Sequence, residues 1–225
     1  MNISKLRKVM VAAALLGTAG GAQAGFIAID NQNPTGSVTS IVPSNDFRTT
    51  LASLGVDTYE LGTSLGVDLA GTVTYYYYGK EAGYSNEFSA GNLTYSSGFT
   101  PEAQNYFGNP IQIGTVSVGP GLLDFQFCAY SSGPVLQGCV TNAQNDGLGM
   151  LSFQSIAMSI LGDTAWLFWD DSGAGPDDNH DDMLIKAVFT PSNVVPEPGT
   201  LALFGLGVLG LGFGARRRQR KASQI

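Results

Sequence analysis

Residues 71 to 78 read Gly71-Thr72-Val73-Thr74-Tyr75-Tyr76-Tyr77-Tyr78. Seven of the eight are β-branched or aromatic, the types that fit a pleated, half-buried surface, so the run reads as a β-strand. Similar runs lie on either side of it. Phe26 to Ile29 and Ile111 to Val118 are two of them, and Leu122 to Tyr130 is a third, with Leu123, Phe125 and Phe127 alternating with Asp124 and Gln126. Leu151 to Leu161 and Ala165 to Trp169 form a pair around a tight turn at Gly162-Asp163, and Met183 to Phe189 closes the series. Clusters of Gly, Asn and Ser separate these runs, and no ten-residue stretch combines helical periodicity with caps. About seven strands without intervening helices predict an all-β fold, an antiparallel β-sandwich of jelly-roll-like kind. Asn31 to Thr50 reads as an exposed loop and Leu51 to Leu65 as the place for a short helix. No internal repeat argues for a solenoid.

The composition agrees with a β-protein working outside the cytoplasm. Of 225 residues only 13% are charged, while 30 are Gly, 12 Phe and 9 Tyr; soluble domains usually carry about 25% charged residues. The net charge of −7 is unevenly spread. Lys5, Arg7 and Lys8 open the chain, and Arg216, Arg217, Arg218, Arg220 and Lys221 crowd its end, so the middle holds three bases against seventeen acids. Such a surface repels phosphate backbones and excludes nucleic acid as a partner, while it attracts cations.

Both ends read as addresses. After the basic start comes a short apolar run, Val9 to Leu16, and then Gly-rich sequence closing on Ala22-Gln23-Ala24. The run is too short to span a bilayer, and the small residues Ala22 and Ala24 suit the pocket of signal peptidase. Residues 1–24 therefore read as a signal peptide, cleaved between Ala24 and Gly25.

The opposite end reads Val195-Pro196-Glu197-Pro198-Gly199-Thr200, then the apolar Leu201 to Ala215, then Arg216-Arg217-Arg218-Gln219-Arg220-Lys221. A Pro-Glu-Pro tripeptide, a short Gly- and Leu-rich apolar helix and an Arg cluster, in that order, resemble the PEP-CTERM sorting signal. Pro196 and Pro198 lack amide donors and disfavour helix before them, which keeps the segment extended and open to an enzyme. A helix from Gly199 to Ala215 rises about 25 Å, slightly short of a bilayer and workable with local thinning and Arg snorkelling. The Arg cluster holds the end of the tail in the cytoplasm. The resemblance implies processing by an exosortase, with Pro196, Glu197 and Pro198 as recognition residues. It also implies a Gram-negative host that makes extracellular polysaccharide, with the protein anchored in the inner membrane until it is processed and then at the cell surface or secreted. The organisation that follows is a signal peptide (1–24), a β-sandwich ectodomain (25–190), a linker carrying the Pro-Glu-Pro motif (191–198), and a single transmembrane sorting helix with its basic tail (199–225).

The ectodomain has two cysteines, Cys128 and Cys139. An even count in an exported chain reads as one disulfide. Cys128 is expected at a strand end, with Ser131 to Pro134 as the turn, so the bridge would staple one hairpin. Closing a loop of this size is worth about 3 kcal/mol through the unfolded state.

The sharpest internal feature runs from Trp169 to Asp182, where Asp170, Asp171, Asp177, Asp178, Asp181 and Asp182 fall within 13 residues among Gly and Pro. Two readings stand. Ca²⁺ takes six to eight oxygens, and an Asp/Asn/Gly loop can supply them, although the spacing is not that of an EF-hand. Alternatively the carboxylates cap local amides in Asx turns. A second segment, Gly79-Lys80-Glu81-Ala82-Gly83-Tyr84-Ser85-Asn86-Glu87-Phe88, resembles one found in PEP-CTERM ectodomains well upstream of an Asp-rich loop. If the two segments meet, Glu81 and Asn86 complete the site; otherwise this segment is a hairpin turn packing Tyr84 and Phe88.

Catalytic signatures are sparse. His180 is the single histidine, no Gly-x-Ser-x-Gly elbow occurs, and no phosphate-binding Gly loop is present. The expectation is a non-catalytic surface or matrix protein, associated with extracellular polysaccharide and stabilised by Ca²⁺. The alternative is a secreted, carboxylate-dependent hydrolase acting on polysaccharide. Tyr75 to Tyr78 could stack on sugar rings, although alternation places half of them inside.

Overall fold

The computed structural model describes residues 25–30, 37–99, 103–131, 135–145, 155–171 and 179–192. The chain divides into two compact units, 1–192 and 193–225, and all described residues belong to the first. The signal peptide, the Pro-Glu-Pro motif, the expected membrane helix, Asp177 and Asp178 lie outside the described residues. Among the described residues no helix is long and apolar enough to cross a membrane.

Fifteen strands build the described part. β1 (Phe26–Asp30), β4 (Thr63–Val67) and β10 (Gly121–Leu122) form a three-stranded sheet in the order β1-β4-β10. A four-stranded sheet has the order β12-β11-β6-β7, from β6 (Ser85–Ala90), β7 (Leu93–Ser96), β11 (Phe125–Ser131) and β12 (Val135–Thr141). The large sheet begins with β2 (Ser37–Ser40), β3 (Thr58–Leu61) and β13 (Ser155–Leu161). It continues through β14 (Thr164–Asp170), β15 (Met183–Pro191) and β5 (Gly71–Lys80) to β8 (Gln104–Asn105), with β9 (Ile111–Val118) also paired to β5. Every one of these pairings is antiparallel.

The deciding run behaves as its residues dictate. In β5, Val73, Tyr75 and Tyr77 are buried while Thr72, Thr74, Tyr76 and Tyr78 are half-buried, the period of two that a strand imposes. The main core gathers Val73, Tyr75 and Tyr77 of the large sheet, Phe88, Phe125 and Phe127 of the four-stranded sheet, and Leu65 and Val67 of β4. A second cluster covers the other face of the large sheet. There Ala157, Trp166, Phe168 and Leu184 meet Ile41, Phe47, Leu51, Val56 and Tyr59. β14 thus sends Ala165, Leu167 and Trp169 to one core and Trp166 and Phe168 to the other. That double burial is why its sequence is almost continuously apolar rather than alternating. Each such side chain is worth about 1.5–3 kcal/mol of apolar burial.

The turn expected at Gly162-Asp163 joins β13 to β14, whose register runs from Leu161↔Thr164 to Ser155↔Asp170. Gly162 has φ 65°, the left-handed conformation that glycine adopts without strain. Other expectations need correction. The helix, α1, is Arg48–Ser53, and Thr58–Leu61 and Thr63–Val67 are strands instead. Within the expected exposed loop, Ser37–Ser40 is a strand and Ile41, Asn45 and Phe47 are buried. The apolar residues of this segment close the second core, which overrides its polar appearance. Cys128 sits in the middle of β11, directly opposite Cys139 on β12, and the two form a disulfide. The bridge therefore staples the body of a hairpin rather than its turn.

Candidate metal centre

The carboxylate-rich ends of β14 and β15 meet the segment that leaves β5. β14 ends at Asp170, and Asp171 follows it; Asn179 to Asp182 lead into β15. Among the described members, Asp170, Asp171, Asp181, Asp182, Asn179 and His180 are all buried. Carboxylate oxygens of Glu81, Asp181 and Asp182 lie within 4.8 Å of one another, Glu81 being exposed and the aspartates buried.

Backbone pairing explains the convergence. Glu81 N donates to Asp181 O at 3.0 Å, which draws the segment after β5 onto the entry of β15. Asp182 N donates to Trp169 O at 3.0 Å, so the two strand ends stay paired across the loop between them. Asp171 N donates to Asp182 Oδ2 at 2.7 Å, and Asp46 N donates to Asp181 Oδ2 at 2.8 Å. From below, Asn45 Nδ2 reaches Asn179 O at 2.8 Å and His180 O at 3.3 Å. Sequence reasoning missed Asn45 and Asp46, which it had assigned to an exposed loop. The apolar residues bracketing them, Ile41 and Phe47, were the available signal that this loop is anchored.

Asn86 enters from β6, fully buried. Its Nδ2 donates to Asp171 Oδ2 at 2.8 Å and to Asp182 O at 2.9 Å, which fixes the amide's orientation. Its Oδ1 is buried with no hydrogen-bond partner among the described residues. An acceptor in that state costs free energy, commonly 1–3 kcal/mol, unless something satisfies it.

The charge balance is lopsided. Burial pushes Asp182 up to about 9, and the Asp171 carboxylate adds to the effect; the Asp171 backbone N–H opposes it, and Asp170 and Asp181 raise it further. Lys80, also buried, is the nearby base. Burial lowers its ammonium below the ordinary lysine range, against the pull of Asp171 and Asp182. Its Nζ donates to Tyr84 O at 3.0 Å and Gly98 O at 2.9 Å, so two of its three N–H donors are committed to carbonyls. Lys186, the other base near in sequence, lies over the Trp166 ring at 5.3 Å, a cation–π contact on the other face of the sheet.

His180 has φ 56°, an uncommon conformation for a residue with a side chain. Its Nε2 and Ser155 Oγ are 2.8 Å apart, and its ring lies 5.3 Å from that of Tyr59. Both Ser155 and His180 are buried. The structure therefore brings together Glu81, Asn86, Asp170, Asp171, Asp181 and Asp182 of the sequence-derived site. In the same neighbourhood the upstream segment does what its alternative reading required, since Phe88 enters the main core and Tyr84 packs against it.

Residues 194–218 match the PEP-CTERM protein-sorting motif. The motif implies export, processing by an exosortase and sorting to the cell surface. Comparison with curated proteins and with solved structures finds no match.

Proposed function

We propose that this chain is a non-catalytic surface protein whose jelly-roll-like β-sandwich is stabilised by Ca²⁺ and associates with extracellular polysaccharide once the sorting tail has been processed. The observation that carries the calcium reading is the gathering of Glu81, Asp181 and Asp182 oxygens within 4.8 Å, from two segments a hundred residues apart in sequence. Carboxylates held that close repel unless one of them keeps its proton, as burial favours for Asp182, or a cation lies among them. Asn86 adds support: its Nδ2 bonds Asp171 and Asp182, its Oδ1 has no hydrogen-bond partner among the described residues, and a carbonyl oxygen is a normal calcium ligand. This set differs from a loop that wraps its own ion. It joins the exit of β5 to the entry of β15, so an ion there would tie two distant parts of the fold.

The buried Ser155–His180 pair supports a structural role for the single histidine rather than a reacting one. Tyr75 and Tyr77 belong to the core, and Tyr78 packs edge-on against Trp166 and Phe107, which leaves Tyr76 as the member of the run free to meet sugar. The polysaccharide association accordingly rests on the resemblance of the tail. Native mass spectrometry of the exported protein tests the reading as a whole. The expected species carries one calcium ion, released by EDTA, and ends near Pro196 to Pro198. A calcium-free chain that still carries Arg216 to Lys221 in an exosortase-bearing host contradicts it.

A further inference from the structure

We propose that the fold carries a seat for the amino group that signal-peptide cleavage creates at Gly25, with Asp68 as its counter-ion. The inference rests on cleavage after Ala24, and the structure bears on that bond from the opposite side. Gly25 is buried, and its N donates to Asp68 Oδ1 at 3.1 Å. One residue later Phe26 N is committed to Gly162 O at 2.9 Å, and the Phe26 ring packs 5.9 Å from that of Phe189. β1 then pairs with β4 from Phe26↔Val67 onward, which sets Asp68 just beyond the end of the ladder, opposite Gly25.

The position also demands glycine. A Cβ on Gly25 would stand 2.7 Å from Gly162 O and 3.1 Å from Gly162 C, both backbone atoms that cannot swing aside. The sequence reason for cutting after Ala24 concerns small residues at 22 and 24; the structural reason for starting at 25 concerns a turn 137 residues further on. The two are independent and meet at one bond. Hydrolysis there turns the Gly25 amide nitrogen, with one hydrogen, into an ammonium with three, placed against an acceptor already within reach. The seat thus recognises an α-ammonium on a glycine, by charge and by the lack of room for a side chain. A chain cut one residue further on would begin at Phe26, whose nitrogen is committed to Gly162 O, and would have no glycine to fill the gap.

The test uses the full chain exported and processed in its host, with Asp68→Asn and Gly25→Ala alongside. Peptide mapping first reads the mature N-terminus, and an acylating reagent at neutral pH then measures how fast its α-amine reacts. The expected outcome is a chain beginning at Gly25 whose amine is acylated roughly two- to fivefold more slowly than in Asp68→Asn, the range that an ion pair at a partly exposed site supports. Gly25→Ala, still cut at the same bond, should melt at a lower temperature because its methyl group meets backbone. A mature chain starting elsewhere overturns the cleavage reading and the seat together. A start at Gly25 with equal acylation rates in the two proteins overturns the seat alone, as does a Gly25→Ala protein with an unchanged melting temperature.

Discussion

Two polar sites are buried in this domain, and they solve the same problem in opposite ways. In one, Asn142 and Asn145 follow β12 through a single 3₁₀ turn, Asn142–Gln144. Asn142 Nδ2 donates to Leu65 O at 2.8 Å and Leu123 O at 2.7 Å, and its Oδ1 accepts from Leu65 N at 2.8 Å. Its backbone carbonyl also accepts from Ser64 Oγ. Asn145 Nδ2 donates to Thr63 O and Ile156 O, both at 2.8 Å, and its Oδ1 accepts from Ile156 N at 3.2 Å. Two neutral amides thus act as extra rungs between β4, the chain leading into β11, and β13. In the other site, Asp170, Asp171, Asp181 and Asp182 gather with Asn86 and Glu81, and one buried amide oxygen has no donor among the described residues. The difference is one of charge. A neutral side chain can complete its bonds with backbone groups, whereas crowded carboxylates are relieved by a retained proton or by a counter-charge.

The largest effect is expected at the neutral site. Asn142→Ala removes both donors and the Oδ1 acceptor and strands Leu65 N and Leu123 O, while Leu65 O keeps the bond from Leu123 N at 3.0 Å. Denaturant unfolding should show a loss of about 3–5 kcal/mol, since each stranded buried group costs about 1–3 kcal/mol. The loss should be the same with calcium and with EDTA; a loss that calcium reverses would merge two sites that the geometry separates.

The disulfide comes next. Cys128→Ser with Cys139→Ser should lower stability by about 3 kcal/mol, the usual value for closing a short loop. The calcium response of this variant should match that of the parent, because the bridge joins β11 to β12 and no residue of the acidic site lies on either strand. Alkylation of both thiols in the unreduced exported protein would instead show that the bridge does not form.

How much of this was legible in the sequence depends on the kind of force at work. β5, β9, β14 and β15 announced themselves because they are apolar and rich in β-branched or aromatic side chains, and the turn at Gly162-Asp163 because glycine there takes a positive φ. The cysteine pair and the sorting tail were equally plain, being chemical signals of fixed meaning. β3 and β4 were not. β4 reads Thr63-Ser64-Leu65-Gly66-Val67, a loop-like composition, yet all five residues are buried. Gly66 is required there because a Cβ would stand 2.8 Å from Gly121 O, where β10 approaches closely. Such close packing is decided by a neighbour 55 residues away and leaves no local trace. For the same reason Asn142 and Asn145 looked like ordinary loop residues. Of the acidic site, the carboxylates and the Glu81-to-Asn86 segment were readable as candidates. Their meeting was not derivable from spacing, because it follows from β5 and β15 lying side by side. The part played by Asn45 and Asp46 had no signal stronger than two flanking apolar residues.

The central claim is that the charged site is completed by a cation, and calorimetry of the exported protein in EDTA and in millimolar calcium tests it most directly. The account predicts that calcium raises the melting temperature, by an amount equivalent to about 2.7 kcal/mol at a hundredfold excess over the dissociation constant. Mg²⁺ should do less, because its octahedral demand suits this irregular set of oxygens poorly. Glu81→Gln changes an exposed side chain, so it should leave the EDTA curve nearly unmoved while removing most of the calcium increment. A parent protein that melts at the same temperature with and without calcium would contradict the claim, and the acidic cluster would then be a self-sufficient network like its neutral counterpart.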